Sequence, residues 1–123
     1  MNTTVDVVAF EHALTKFIAA AQAKVDARFA DSLPDMPPYM PPSQGIKLEA
    51  EINRKYVRVV EHQIYDGVQR KGGSVYCFID RTNGNVLKAA SWAAPEKRNV
   101  RSNIFAPDHG ASGVDGYGAV YLR

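Results

Sequence analysis

The residues whose types suit chemistry crowd into one stretch, Lys88-Ala-Ala-Ser-Trp-Ala-Ala-Pro-Glu-Lys-Arg-Asn-Val-Arg-Ser-Asn-Ile-Phe105. It holds the single Trp of the chain, Trp92, and four cations, Lys88, Lys97, Arg98 and Arg101, against one acid, Glu96. Asn99, Asn103 and Phe105 lie among them. A hydrophobic core has no use for the cations, and a solvated loop has no use for the rings. Together they suit an anionic ligand with a flat base. Arginine offers a planar fork that chelates phosphate through two hydrogen bonds. Trp92 and Phe105 suit stacking on a base, at ~1–3 kcal/mol per good stack. Asn99 and Asn103 suit base edges or ribose hydroxyls. Two plainer readings stand beside this one: Trp92 as a core residue closing one end of a sheet, and the cations as a solvated face.

Other constellations are thin. His12, His62 and His109 have no metal-ligand spacing, and one cysteine cannot complete a zinc site. His12 reads as a partly buried helix residue, His62 as a strand-surface residue, and His109 as part of a Pro-Asp-His-Gly turn without a nucleophile. Ser91, Ser102 and Ser112 lack the strand–turn–helix setting of a nucleophilic serine. Cys77, between Tyr76 and Phe78 in an apolar run, reads as an inert buried thiol. The tail Gly110-Ala-Ser-Gly-Val-Asp-Gly-Tyr-Gly118 lacks the Gly-Lys-Ser/Thr of a triphosphate loop. Its glycines read as a tight loop, with a backbone nest for an anion as the alternative. No enzyme is expected, and no cofactor or metal.

The elements that must position the basic stretch follow from periodicity. Phe10, Leu14, Phe17, Ala21, Val25 and Phe29 recur at helical spacing, predicting a helix over about residues 4–30 that starts at Thr3-x-x-Asp6. Such a helix outruns a small sheet. It either overhangs its own sheet or offers part of its stripe to a second copy, so an oligomer, a dimer or a multiple of dimers, is expected. Five of the seven prolines fall between Pro34 and Pro42, which makes residues 33–45 a stiff connector. Alternation in Ile46 to Ile52, the β-rich run from Lys55, Ser74 to Asp80, the Asn83-Gly84 turn and the return from Val86 give an antiparallel meander over about residues 46–91. Pro95 is placed to begin a short helix. The basic loop and tail occupy 92–123, with an edge strand over Ala119 to Leu122. The fold class is α+β: a long N-terminal helix on a small antiparallel sheet, then a basic, partly irregular C-terminal segment, in a single domain over 1–123.

Bulk composition agrees. A chain of 123 residues, 46% hydrophobic and 23% charged, is ordinary for one soluble domain. No apolar run approaches a membrane span, the N-terminus lacks the pattern of a signal peptide, and the lone cysteine fits a reducing cytoplasm. The net charge of +2 is uneven: Arg81 to Pro107 holds five basic residues and one acid. That attracts phosphates locally and falls short of a general DNA-coating protein.

The block Ser-Val-Tyr-Cys-Phe-Ile-Asp80, then Thr-Asn-Gly-Asn-Val-Leu-Lys-Ala-Ala-Ser-Trp92 and on to Asn-Ile-Phe105, resembles one found in small phage proteins. Over about residues 55–105 the chain resembles the Thoeris anti-defence sponges, which bind cyclic ADP-ribose immune signals and keep them from their effector. The resemblance implies a helix-plus-sheet protomer that oligomerises in the cytoplasm of an infected bacterium. It implies a signal held near protomer interfaces by aromatic and basic side chains, and in some members cyclic oligonucleotides at separate sites. Carried onto this chain, the site residues are Phe78, Trp92, Lys97, Arg98, Arg101 and Asn103, with Arg28 as a candidate between protomers; Lys88 and Phe105 of the basic stretch complete the candidate ligand-binding set by residue type. The expected function is non-catalytic sequestration of a small cyclic nucleotide. The alternatives are a single-stranded nucleic-acid binder using the same surface, or an inhibitor that works by protein contact.

Overall fold

The computed structural model describes residues 7–32, 43–65, 68–69 and 73–120. The Thr3-x-x-Asp6 start and most of the proline connector lie outside the described residues. Helix α1 spans Val7–Ser32. Its stripe of Phe10, Ala13, Leu14, Phe17, Ala21 and Val25 is buried, and Phe29 is half-buried. His12 is exposed, not partly buried, because it lies off that stripe. No helix among the described residues is long and apolar enough to cross a membrane.

The sheet is an antiparallel meander. Strand β1 (Ser43–Ile52) pairs with β2 (Tyr56–Tyr65), and β2 pairs with the short β3 (Val68–Gln69) and with β4 (Ser74–Asp80). Then come β5 (Asn85–Leu87) and β6 (Ser102–Asn103), giving the order β1-β2-β4-β5-β6. The turn into β5 is closed by Gly84, at φ +81°, a value few residues other than glycine adopt. Its amide bonds back to Asp80 O at 2.8 Å.

Side-chain alternation sorts the strands into two faces. Leu48, Val57, Val59, Cys77, Ile79 and Val86 meet the helix stripe. A bulge sets Val59 against Cys77 and Val60 against Val75, leaving Tyr76 as the extra residue. That is why the consecutive Tyr76 and Cys77 both reach the helix-side core. Burial pushes the Cys77 thiol and the Tyr76 phenol well above their ordinary pKa values, so both are neutral. Val60, Phe78 and Leu87 are equally buried but belong to the far face.

The C-terminal part closes the helix side. After a 3-10 turn at Ala111–Gly113, strands β7 (Val114–Asp115) and β8 (Gly118–Ala119) form a separate two-stranded hairpin. The expected edge strand is therefore shorter and pairs elsewhere; residues 121–123 lie outside the described residues. Lys24 Nζ donates to Ala111 O at 2.6 Å and Val114 O at 2.8 Å, tying the tail to the helix. With Ile104, Val114 and Ala119 completing the core, the stripe from Phe10 to Val25 is covered within one chain. Near its first turns Val7, Val8, Ile52 and Phe105 keep exposed apolar surface.

Candidate functional site

The segment after β5 has no regular periodicity, and backbone hydrogen bonds give it shape. Ala89 forms an antiparallel bridge with Pro95, and Glu96 N donates to Lys88 O at 2.7 Å. Inside that bridge the amides of Ala90 and Ser91 both point at Ala94 O, at 3.0 and 3.1 Å. Pro95 is thus one arm of a tight loop, not the first residue of a short helix. Its missing N–H is no loss, because its neighbour Glu96 carries the bond. Trp92 sits at the tip and keeps 48% of its surface exposed.

Arg58 holds that tip against the far face of the sheet. Its Nε donates to Trp92 O at 2.8 Å, and its Nη1 donates to Glu51 Oε1 at 2.8 Å. The guanidinium carbon lies 4.9 Å from the Trp92 ring centre and 5.8 Å from that of Phe78. Phe78 in turn meets Tyr56 edge to face, with ring centres 6.2 Å apart. Two ammonium groups flank Tyr56: Lys55 Nζ at 5.5 Å and Lys97 Nζ at 5.9 Å from its ring. Neither lysine makes an ion pair among the described residues, and both are exposed. Glu51, one of the acids at this cluster, is already paired with Arg58. The result is a row of rings, Tyr56, Phe78 and Trp92, threaded by one oriented guanidinium and edged by two exposed lysines. Cation–π contacts of this exposed kind are worth about 0.5–1 kcal/mol each. Their effect here is to orient rings and concentrate positive potential on one face.

Of the residues singled out in the sequence, Phe78, Trp92 and Lys97 come together here. Phe78 is buried, so it supports the platform from beneath and presents no face to a base. Arg98 is exposed next to Lys97, with its backbone amide held by Glu96 Oε1 at 2.8 Å. The other candidates go elsewhere. Arg101 is the clearest correction: its side chain is only 4% exposed. Nε donates to Val120 O at 2.9 Å, while Nη1 donates to Glu96 Oε2 at 2.8 Å and Asn99 O at 2.6 Å. Its hydrogen bond holds the Glu96 carboxyl below the usual carboxylate range. This fork is a brace between the basic loop and the tail, not a phosphate chelator.

Asn103 is likewise engaged. Its amide nitrogen donates to Asn83 O and Asn85 Oδ1 at 2.8 and 2.9 Å, and its Oδ1 accepts from Phe105 N at 2.8 Å. Phe105 turns to the helix and packs edge to face on Phe10, 6.3 Å away. Lys88 is half-buried and lines a small cleft with Tyr76 and Tyr117. Arg28 lies in a separate cleft of about 690 Å³ beside Lys24, Asp115 and Tyr117. It stacks 4.7 Å from the Tyr117 ring and faces Glu61 at 3.6 Å.

Lys55, Tyr56 and Arg58 were missed by sequence reasoning. The usable signal was the alternation at the start of β2, which sets Tyr56 and Arg58 on the face opposite Val57 and Val59. What the sequence does not carry is which face the basic loop crosses.

Residues 2–121 match the model of a family described as a family of unknown function (DUF7717). No curated protein and no solved structure matches the chain.

Proposed function

The chain belongs to that family of unknown function, and for it we propose a non-catalytic protein that captures a small phosphorylated nucleotide. The observation that carries this reading is the half-exposed Trp92, oriented by Arg58, beside Tyr56 with two exposed lysines that make no ion pair among the described residues. A base stacks on the open part of Trp92, and phosphates meet Lys97, Lys55 and the exposed Arg98. The resemblance of residues 55–105 to the Thoeris anti-defence sponges narrows the ligand class to a cyclic ADP-ribose isomer. In that setting the protein acts in the cytoplasm of an infected bacterium, as an oligomer, and blocks the immune signal by holding it. Slow release then matters more than fast capture.

The test is calorimetric titration of the wild type, Trp92→Ala and Lys55→Glu/Lys97→Glu with cyclic ADP-ribose isomers and, separately, with short single strands. The wild type should bind an isomer. Trp92→Ala should lose roughly ten- to a hundredfold, the equivalent of one stacked base, and the charge-reversed pair should lose at least as much. Because Trp92 is half exposed, Trp92→Ala should still fold. Binding of single strands with no binding of any isomer would replace this reading by the nucleic-acid one. Equal affinity in all three proteins would remove the far face as the site.

A further inference from the structure

Among the described residues strand β1, ten residues long, pairs with one strand, β2, and no strand pairs with its other edge. An open edge of that length is a template for another strand. Which backbone groups face outward is fixed by a helix side chain. Gln22 Oε1 accepts the Leu48 amide at 2.8 Å, and Gln22 Nε2 donates to Ile46 O at 2.6 Å. An amide has one proton, so the Leu48 N–H points away from β2. By the alternation of an antiparallel ladder, Ile46, Leu48, Ala50 and Ile52 all turn their backbone groups to the open edge. The second proton of Nε2 goes to Asp26 Oδ1 at 2.9 Å. The Gln22 amide is thereby satisfied on both sides and held in one orientation. It presents an acceptor and a donor side by side, as a residue of a neighbouring strand would.

We infer that the β1 edge is a docking surface for a second copy of this chain, and that Gln22 is the lock that holds it shut. The evidence for the occupant is the strand's own pattern. Pair β1 with itself, antiparallel, about a two-fold axis through Leu48. Leu48 then meets the second copy's Leu48, and Ile46 meets its Ala50. Lys47 lies across from the second copy's Glu49, and the symmetry makes that pairing twice. Opposite charges directly across a strand pair favour this register. It needs the Leu48 N–H and the Ile46 C=O, the two groups that Gln22 holds. A register centred on Ala50 also takes the Leu48 N–H, which would bond to the second copy's Ile52. It sets Glu49 against the second copy's Glu51 on both sides, a like-charge contact that opposes pairing. Both registers require Gln22 to let go, and the charges choose between them.

The test uses the full chain and Gln22→Met, which keeps side-chain length and helix propensity but removes the amide. Sedimentation velocity over a concentration series gives the mass, and NMR gives the exchange rate of the Leu48 amide. In dilute Gln22→Met the Leu48 amide should exchange about tenfold faster than in the wild type, the loss of one ordinary hydrogen bond. At higher concentration a species of twice the wild-type mass should form, with Leu48 protected again. Adding Lys47→Glu should abolish that species, and Lys47→Glu with Glu49→Lys should restore it. Gln22→Ala, shorter and strongly helix-forming, is read in the same way and covers the case in which Met disturbs packing. Wild-type mass and wild-type Leu48 exchange in both variants would overturn the inference. So would a doubled species indifferent to Lys47→Glu.

Discussion

Replacing Arg101 by alanine separates a brace from a binding residue. Three hydrogen bonds leave with the side chain, to Val120 O, Asn99 O and Glu96 Oε2. Bonds from a charged donor contribute about 1.5–3 kcal/mol where they are sheltered. The Glu96 side chain is about a third exposed, so its share is discounted for solvent screening. Asn99 is exposed as well, and water replaces part of that bond. The bond to Val120 lies in the sheltered part of the network. A loss of about 3 kcal/mol follows, a large fraction of the ~5–15 kcal/mol that holds a domain together. For a chain of this size the melting midpoint should fall by roughly 10–15 °C. Arg101→Lys should recover less than half, because one ammonium cannot reach both Val120 O and Glu96. Nucleotide affinity, measured where the variant is still folded, should change little. Differential scanning calorimetry beside titration decides it. A midpoint within about 2 °C of the wild type, with ligand binding lost, would refute the reasoning and return Arg101 to the ligand.

Two further expectations concern acid and glycine. Glu96 is held low by the hydrogen bond from Arg101, and Asp108 by the Ser112 hydroxyl together with the Ser112 and Gly110 amides. A folded pKa below the unfolded one means that the unfolded chain takes up protons first; stability is therefore present above the ordinary carboxylate value of about 4 and drains away as pH falls through the depressed values. Urea midpoints between pH 6 and 2 should show this loss, and Glu96→Gln should flatten part of it; an unchanged slope counts against the assignment. Gly118→Ala should cost about 2–4 kcal/mol, because a Cβ would stand 2.6 Å from Tyr76 O at φ +139°. Gly45→Ala, at φ +130° with none of the described residues within 4 Å of an added Cβ, meets mainly backbone strain and should cost about 1–2 kcal/mol. Equal losses in urea denaturation would mean that the Tyr76 contact does not matter.

Helix and meander were legible in the sequence because periodicity records which side of an element is dry. The spacing of Phe10, Leu14, Phe17, Ala21 and Val25 named the buried stripe residue by residue. Asn83-Gly84 named the turn that Gly84 makes. The basic loop has no period, so its residues were read by type alone, and type misled at Arg101. A guanidinium looks the same in a sequence whether it waits for a phosphate or closes on Val120 and Glu96. Pro95 misled for a related reason: a residue suited to the first turn of a helix also suits a bridge position whose amide is not needed. Trp92 was legible as a candidate, but its orienting partner Arg58 lies 34 residues earlier and could be found only in the fold.

The tie between Lys24 and Val114 joins residues 90 apart in the chain. That separation has a consequence for a ribosome making the protein. Helix α1 emerges early, with Phe17, Ala21 and Val25 already on one side. Ile104, Val114 and Ala119, which complete their cover, are translated last. At about 5–20 residues per second the stripe waits roughly 5–20 s for its final wall. In that interval the nascent chain shows an uncovered apolar helix face to solvent, the kind of surface that chaperones at the exit tunnel engage.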